Sequence, residues 1–88
     1  MEISFDPAKD AANVAKHGVS RAMAAEMEWE TTVVWEDLRK NYGESRMTGI
    51  GYIGLRLFQV AFVDRGDVRR IISLRKANNR EVKYYAEA

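Results

Sequence analysis

The amino-acid sequence predicts an α+β domain, a mostly antiparallel sheet packed by helices in the order β-α-α-β-β-β-α. Three observations lead there. Helix start and stop signals bracket Pro7 to Gly18. From Thr31 the chain turns β-branched and aromatic, with period-two alternation. A glycine-bearing turn, Asp64-Arg65-Gly66-Asp67, then joins two such runs as a hairpin, and a capped helix follows.

Taken in order, Glu2 to Asp6 alternates, with Ile3 and Phe5 sharing a face, and reads as a short strand. Asp6-Pro7 starts the first helix. The carboxylate can accept from orphan N–H groups of the first turn, and proline suits a position whose N–H has no intrahelical partner. Ala8, Ala11, Ala12 and Ala15 form the face this helix turns to the core. Gly18 stops it as the positive-φ residue just past its end. Ser20 caps a second helix running to about Trp29, with Ala22, Met23, Met27 and Trp29 as its apolar set.

Thr31 to Trp35 is a strand by its β-branched and aromatic content. Arg46 to Ile53 is the next, and Gly49, Gly51 and Gly54 mark a bulge or close backbone approach. Arg56 to Val63 is apolar on both faces, with Phe58, Val60 and Phe62 opposite Leu57, Ala61 and Val63, as suits a central strand. Val68 to Arg75 pairs with it. Strict alternation puts Arg69, Ile71, Ser73 and Arg75 on one face and Val68, Arg70, Ile72 and Leu74 on the other. Asn78 caps the last helix, and Glu81 three residues on completes a capping box. Met23, Met27, Trp29 and Trp35 belong to the core.

Eighty-eight residues, 47% hydrophobic and 31% charged, fit one domain spanning 1–88 and exclude wholesale disorder. With no cysteine and one histidine, disulfides, thiolate chemistry and a multi-His metal centre are excluded, so neither metal nor cofactor is expected. The longest uncharged run, Met47 to Leu55, is nine residues, far too short for a bilayer span. Residues 1–6 lack the regions of a signal peptide, and the expectation is a cytoplasmic domain with no membrane contact. The net charge of +1 conceals an asymmetry. Residues 1–37 carry three basic side chains against eight acidic, a net of −5; residues 38–88 carry eleven against five, a net of +6. Such a split either presents a positive face to a polyanion or is intermingled by folding.

Lys9, Asn13 and Lys16 stand at i, i+4 and i+7 on one stripe of the first helix, with His17 at its edge. Two ammonium groups and an amide so placed can hold phosphate oxygens or a developing phosphorane; the same stripe also suits a solvated helix face. His17 alone has an unperturbed pKa near neutrality and is the candidate acid or base, or else it complements the helix C-terminus. Arg69 and Arg75 flank Ser73, where cations suit an RNA backbone or discourage edge pairing. Glu44 and Arg46 form either a surface ion pair or a carboxylate held by an arginine. Arg80 and Lys83 extend the basic surface along the last helix. Tyr84 and Tyr85 can stack on bases, or one of them packs that helix on the sheet.

Asp6-Pro7-Ala8-Lys9-x-x-x-Asn13-x-x-Lys16-His17-Gly18-Val19 resembles the opening motif of the BrnT toxins. Glu44-x-Arg46-x-x-x-Ile50-Gly51 with Arg56 is similar to the middle of that family, and Arg70 to Ala77 with Glu81 and Tyr85 to its closing motif. Leu74 and Asn78 depart from it, where the family usually has a small residue and a threonine. The resemblance implies a metal-independent ribonuclease toxin of a type II toxin–antitoxin pair, with a fold similar to the RelE toxins; the alternative is a non-catalytic RNA- or protein-binding module on the same fold. It implies RNA as substrate and a small DNA-binding, BrnA-like antitoxin as partner, in an assembly of two toxins with two antitoxins. Carried over by motif, the expected catalytic residues are Lys9, Lys16, His17, Glu44, Arg56 and Arg75. Asn13, Arg46, Arg69, Arg80 and Tyr85 are the expected RNA contacts.

Overall fold

A computed structural model describes residues 1–88. The chain forms strand β1 (Glu2–Ser4), helix α1 (Pro7–His17), two 3-10 segments (Arg21–Glu26 and Trp29–Thr31), strands β2 (Val33–Glu36), β3 (Met47–Ile53), β4 (Arg56–Arg65) and β5 (Val68–Lys76), and helix α2 (Asn79–Glu87). Four strands follow the helices where the predicted order counted three, because each run from Thr31 on makes its own strand. They form one five-stranded sheet in the order β1-β5-β4-β3-β2. The three ladders from β2 to β5 are antiparallel, while β1 pairs with β5 in parallel, so the sheet is mixed. The parallel pair arises because α1 and the 3-10 segments carry the chain from one sheet edge to the other before the strands meander back.

Local signals explain most of these elements. The Asp6 carboxylate accepts from the N–H groups of Ala8 and Lys9, and Gly18 closes α1. Two-residue turns led by Gly54 (φ +62) and Gly66 (φ +61) close the β3–β4 and β4–β5 hairpins. A positive φ at the first turn residue matches the right-handed strand twist, and glycine adopts it without strain. Gly51 marks a close approach, since a Cβ there would strike the Thr32 side chain. Asn78 and Glu81 form the full capping box of α2.

The predicted second helix is a 3-10 segment that ends at Glu26. Ser20 caps it, accepting from the Ala22 N–H. Ala24 and Met27 are both buried, and a three-residue turn is the geometry that puts i and i+3 in one row. The Ala24 carbonyl then accepts from the Met27 N–H and the Trp29 indole, which holds the chain in that turn.

Two cores result. Phe58, Val60, Phe62, Ile71 and Leu74 pack with Val19, Ala24 and Met27 on one face of the sheet, joined by the partly buried Met23 and Trp29. Ile50, Leu57 and Ala77 pack with Trp35, Tyr52 and Tyr85 beneath α2 on the other. The expected alanine face of α1 is different: Ala8, Ala11, Ala12 and Ala15 are all exposed, and Asn13 is the buried residue. The reason lies at the sheet edge. β1 covers β5 only from Val68 to Arg70, leaving the Leu74 backbone without a strand partner on that side. The Asn13 amide takes the place of one, donating to the Leu74 and Val19 carbonyls (2.9 and 2.8 Å) and accepting from the Leu74 N–H (3.5 Å). A helix docked through an amide at an edge leaves its alanines to solvent.

Strict alternation along β5 also fails. Ala61 pairs with Ser73 but Phe62 with Ile71, so Ile72 is an extra residue in the ladder, a β-bulge. Residues before and after it exchange faces. Arg69 and Ile71 therefore share a face with Leu74 and Lys76, while Arg70, Ser73 and Arg75 lie on the other.

Candidate active site

Between α1 and the outer edge of β5 runs a groove of about 340 Å³ lined by Lys9, Ala12, Asn13, Lys16, His17, Arg21 and Ser73. The helical spacing of Lys9 and Lys16 sets both along one wall, and Asn13 anchors that wall to the strand. Every basic residue of the acidic first 37 lies here, and no carboxylate lines the groove. Neither lysine forms an ion pair. His17 is half-buried and its imidazole makes no hydrogen bond within the chain, so both ring nitrogens are available. Arg21 adds a buried Nε with no partner. A larger concavity of about 550 Å³ beside Met27–Thr31 contains Glu28 and Glu30, which repel a polyanion.

Outside the groove lining, Asp10 ties the 3-10 segment to α1. Its carboxylate accepts from the Ser20 hydroxyl (2.7 Å) and the Arg21 N–H (2.8 Å), and these bonds hold its pKa below the usual aspartate range. Arg21 is thereby fixed beside α1. It was not among the residues expected from the sequence; its signal was that it is one of only three cations in an acidic half.

The remaining expected residues lie elsewhere. Glu44 pairs with Arg65 (3.1 Å) rather than Arg46, and that contact is exposed and worth little. Arg46 stacks on Tyr42, 3.9 Å from the ring centroid. Tyr42 in turn donates to Asp37, a carboxylate that also accepts from the side chain and N–H of Arg39 and is held well below the usual range by those bonds. Arg69 caps the core, bidentate on Asp64 and stacked over Phe62 and Trp29 at 4.2 and 4.5 Å. Arg75 forms a bidentate pair with Glu81, 2.8 Å at each contact. Arg56 and Arg80 are exposed and unpaired. The Tyr85 hydroxyl donates to the Thr31 carbonyl, and its ring packs edge-on against Tyr52.

Residues 5–81 match the model of a family described as the ribonuclease toxin BrnT of type II toxin–antitoxin systems. The chain belongs to the BrnT toxin family. The match spans the α1 groove, strands β2 to β5 and the start of α2, so every residue lining the groove falls inside the BrnT region. Membership in a type II toxin–antitoxin family carries with it an antitoxin partner. No curated protein matches the chain. No helix of this BrnT chain is long and apolar enough to cross a membrane, and no group of three or more His, Cys, Asp or Glu side chains gathers anywhere in it.

Three carboxylates of this BrnT chain are held as anions: Asp10 and Asp37 as above, and Glu81. Burial raises the Glu81 pKa, but bonds from Arg75 and the Asn78 N–H outweigh it and leave it lowered. Groups depressed in the fold contribute stability above their unfolded values, 3.8 for aspartate and 4.5 for glutamate, and lose it as pH falls through the lower folded values. The urea midpoint is therefore expected to stay level from about pH 7 to about pH 5 and to drop steeply below about pH 4. A midpoint unchanged between about pH 5 and pH 3 would show that these anions do not support the fold.

Proposed function

We propose that the chain is a metal-independent endoribonuclease on a RelE-like fold, with its active site in the α1 groove. The observation that carries this is the gathering of Lys9, Lys16, His17 and Arg21 around one opening with no carboxylate among them. The 2′-hydroxyl of a ribose attacks the adjacent phosphorus while His17 accepts its proton. The new 2′-oxygen–phosphorus bond and the departing 5′-oxygen lie in a phosphorane whose extra negative charge faces the two ammonium groups and the guanidinium. The P–O5′ bond then breaks, the 5′-oxygen takes a proton from solvent water while the His17 imidazolium returns its own to solvent, and a 2′,3′-cyclic phosphate remains. A single histidine and no cysteine favour this acid–base route over one built on a transition metal.

Glu44 is engaged by Arg65 and does not line the groove, which leaves His17 as the base that an RNA bound there would meet. Arg56, exposed and unpaired at the start of β4, would meet a flanking phosphate of the bound RNA, and Arg75 takes part only if RNA displaces Glu81. A small DNA-binding, BrnA-like antitoxin, in an assembly of two toxins with two antitoxins, would neutralise the enzyme in the cytoplasm. It would cover part of the positive surface that Arg56, Arg70, Lys76 and Arg80 contribute. Inducible expression is expected to halt growth and degrade cellular RNA, and co-expression of the antitoxin encoded alongside to restore growth. Unimpaired growth with intact RNA at high expression would refute the reading.

A further inference from the structure

On the face opposite the larger core, α2 does not close fully against β2 and β3. Its two tyrosines each meet a sheet aromatic edge-on, Tyr85 with Tyr52 (centroids 5.5 Å apart) and Tyr84 with Trp35 (5.3 Å). They are otherwise unlike. Tyr85 is half-buried and hydrogen-bonded, whereas Tyr84 is 52% exposed and its hydroxyl has no partner in the chain. Beside Tyr84 a cleft of about 280 Å³ opens, walled by Trp35, Ile50 and Tyr84, with Arg80 and Glu81 at the rim. Ile50, 1% exposed, makes its floor continuous with the smaller core.

The chemistry of the cleft is specific. An aromatic left exposed over an apolar opening offers its ring to a partner, where a purely structural ring is packed and hydrogen-bonded as Tyr85 is. The rim carries a free cation: Arg80 pairs with no carboxylate, and the charge of Glu81 is already met by Arg75. Aromatic faces beside free cations are what an unpaired strand engages, its base stacking while its phosphates are neutralised. Strand β5 links the cleft rim to the groove. Ser73 lines the groove, and Arg75, two residues on and on the same face, touches Glu81 at the cleft rim. We infer that this cleft is a stacking site for one unpaired nucleobase of the RNA strand bound in the α1 groove.

The inference rests on the proposed RNA-cleaving function, and the test separates the two. Binding of a mixed-sequence 2′-O-methyl oligonucleotide, which lacks the attacking hydroxyl, is measured for wild type, Tyr84→Ala and Tyr84→Phe. Tyr84 is exposed, so neither change endangers the fold. Tyr84→Ala is expected to weaken binding roughly tenfold, the loss of one base–aromatic stack, and Tyr84→Phe to retain it. Binding of wild type is expected to quench tryptophan fluorescence, through Trp35, and the quench to be lost in Tyr84→Ala. With unmodified RNA the loss should fall on KM rather than kcat. Equal affinity of Tyr84→Ala and wild type would overturn the cleft while leaving cleavage in the groove untouched. So would an equal loss toward a duplex of the same sequence, whose bases cannot enter. A Tyr84→Ala protein that binds RNA normally but loses its antitoxin would assign the cleft to a protein partner instead, and also overturn it.

Discussion

Alanine at both Lys9 and Lys16 is expected to lower RNA cleavage roughly a hundredfold or more, the scale of losing one preorganised transition-state donor. Both side chains are exposed on α1, neither forms an ion pair, and both line the cationic groove. Alanine is the best helix former, and surface substitutions of this kind change stability by less than about 0.5 kcal/mol. The melting temperature should therefore stay within about 4 °C of wild type. Cleavage rate and melting temperature measured on the same preparation separate the cases. A double variant that melts normally and cuts RNA at the wild-type rate would remove α1 from the active site, leaving Arg56 and Arg75 as candidates.

Asn13→Ala is expected to act in the opposite way, on stability first. The amide is 5% exposed and completes the backbone of Leu74 and Val19 at the sheet edge. Its removal leaves a buried N–H and two carbonyls short of partners, at about 1–3 kcal/mol for each one left unsatisfied. Water reaching the edge offsets part of that, and a net loss of about 3 kcal/mol lowers the melting temperature by more than about 10 °C. Residual activity per folded molecule should exceed that of the double lysine variant, since the charges remain. A variant that melts like wild type but no longer binds RNA would return Asn13 to the RNA contacts.

Local signals made much of this fold legible. Asp6-Pro7, Gly18, Asn78 and Glu81 act through neighbours a few residues away, and so do the turn glycines; each sits where its chemistry indicates. What escaped was set at long range. The Ile72 bulge depends on how β5 meets β4, so nothing in its own alternation reveals that Arg69 and Arg75 part company. The parallel placement of β1 follows from where the chain ends its crossing of the sheet. The alanines of α1 read as a core face only if the helix lies over the sheet; it lies beside it, held by an asparagine 61 residues from its partner Leu74.

The same division runs through the candidate site. Lys9, Lys16 and His17 fall together because one helix carries all three. The partners that engage Glu44 and Arg69 lie on other strands or across a hairpin, and Arg75 is engaged from α2, so their charges looked free in one dimension. The charge split misled in a related way. The excess of +6 lies in residues 38–88, yet four of those arginines are paired, and the groove draws its lysines and Arg21 from the acidic part. Where few cations occur, their convergence on one opening is the more telling signal.

The most direct measurement is cleavage of a defined RNA by the purified chain in excess EDTA, with the product ends identified. A metal-independent attack by the ribose 2′-hydroxyl, assisted in the α1 groove, predicts undiminished cleavage and fragments ending in 2′,3′-cyclic phosphate. Cleavage that requires an added divalent ion, or that leaves 3′-hydroxyl ends, would contradict it.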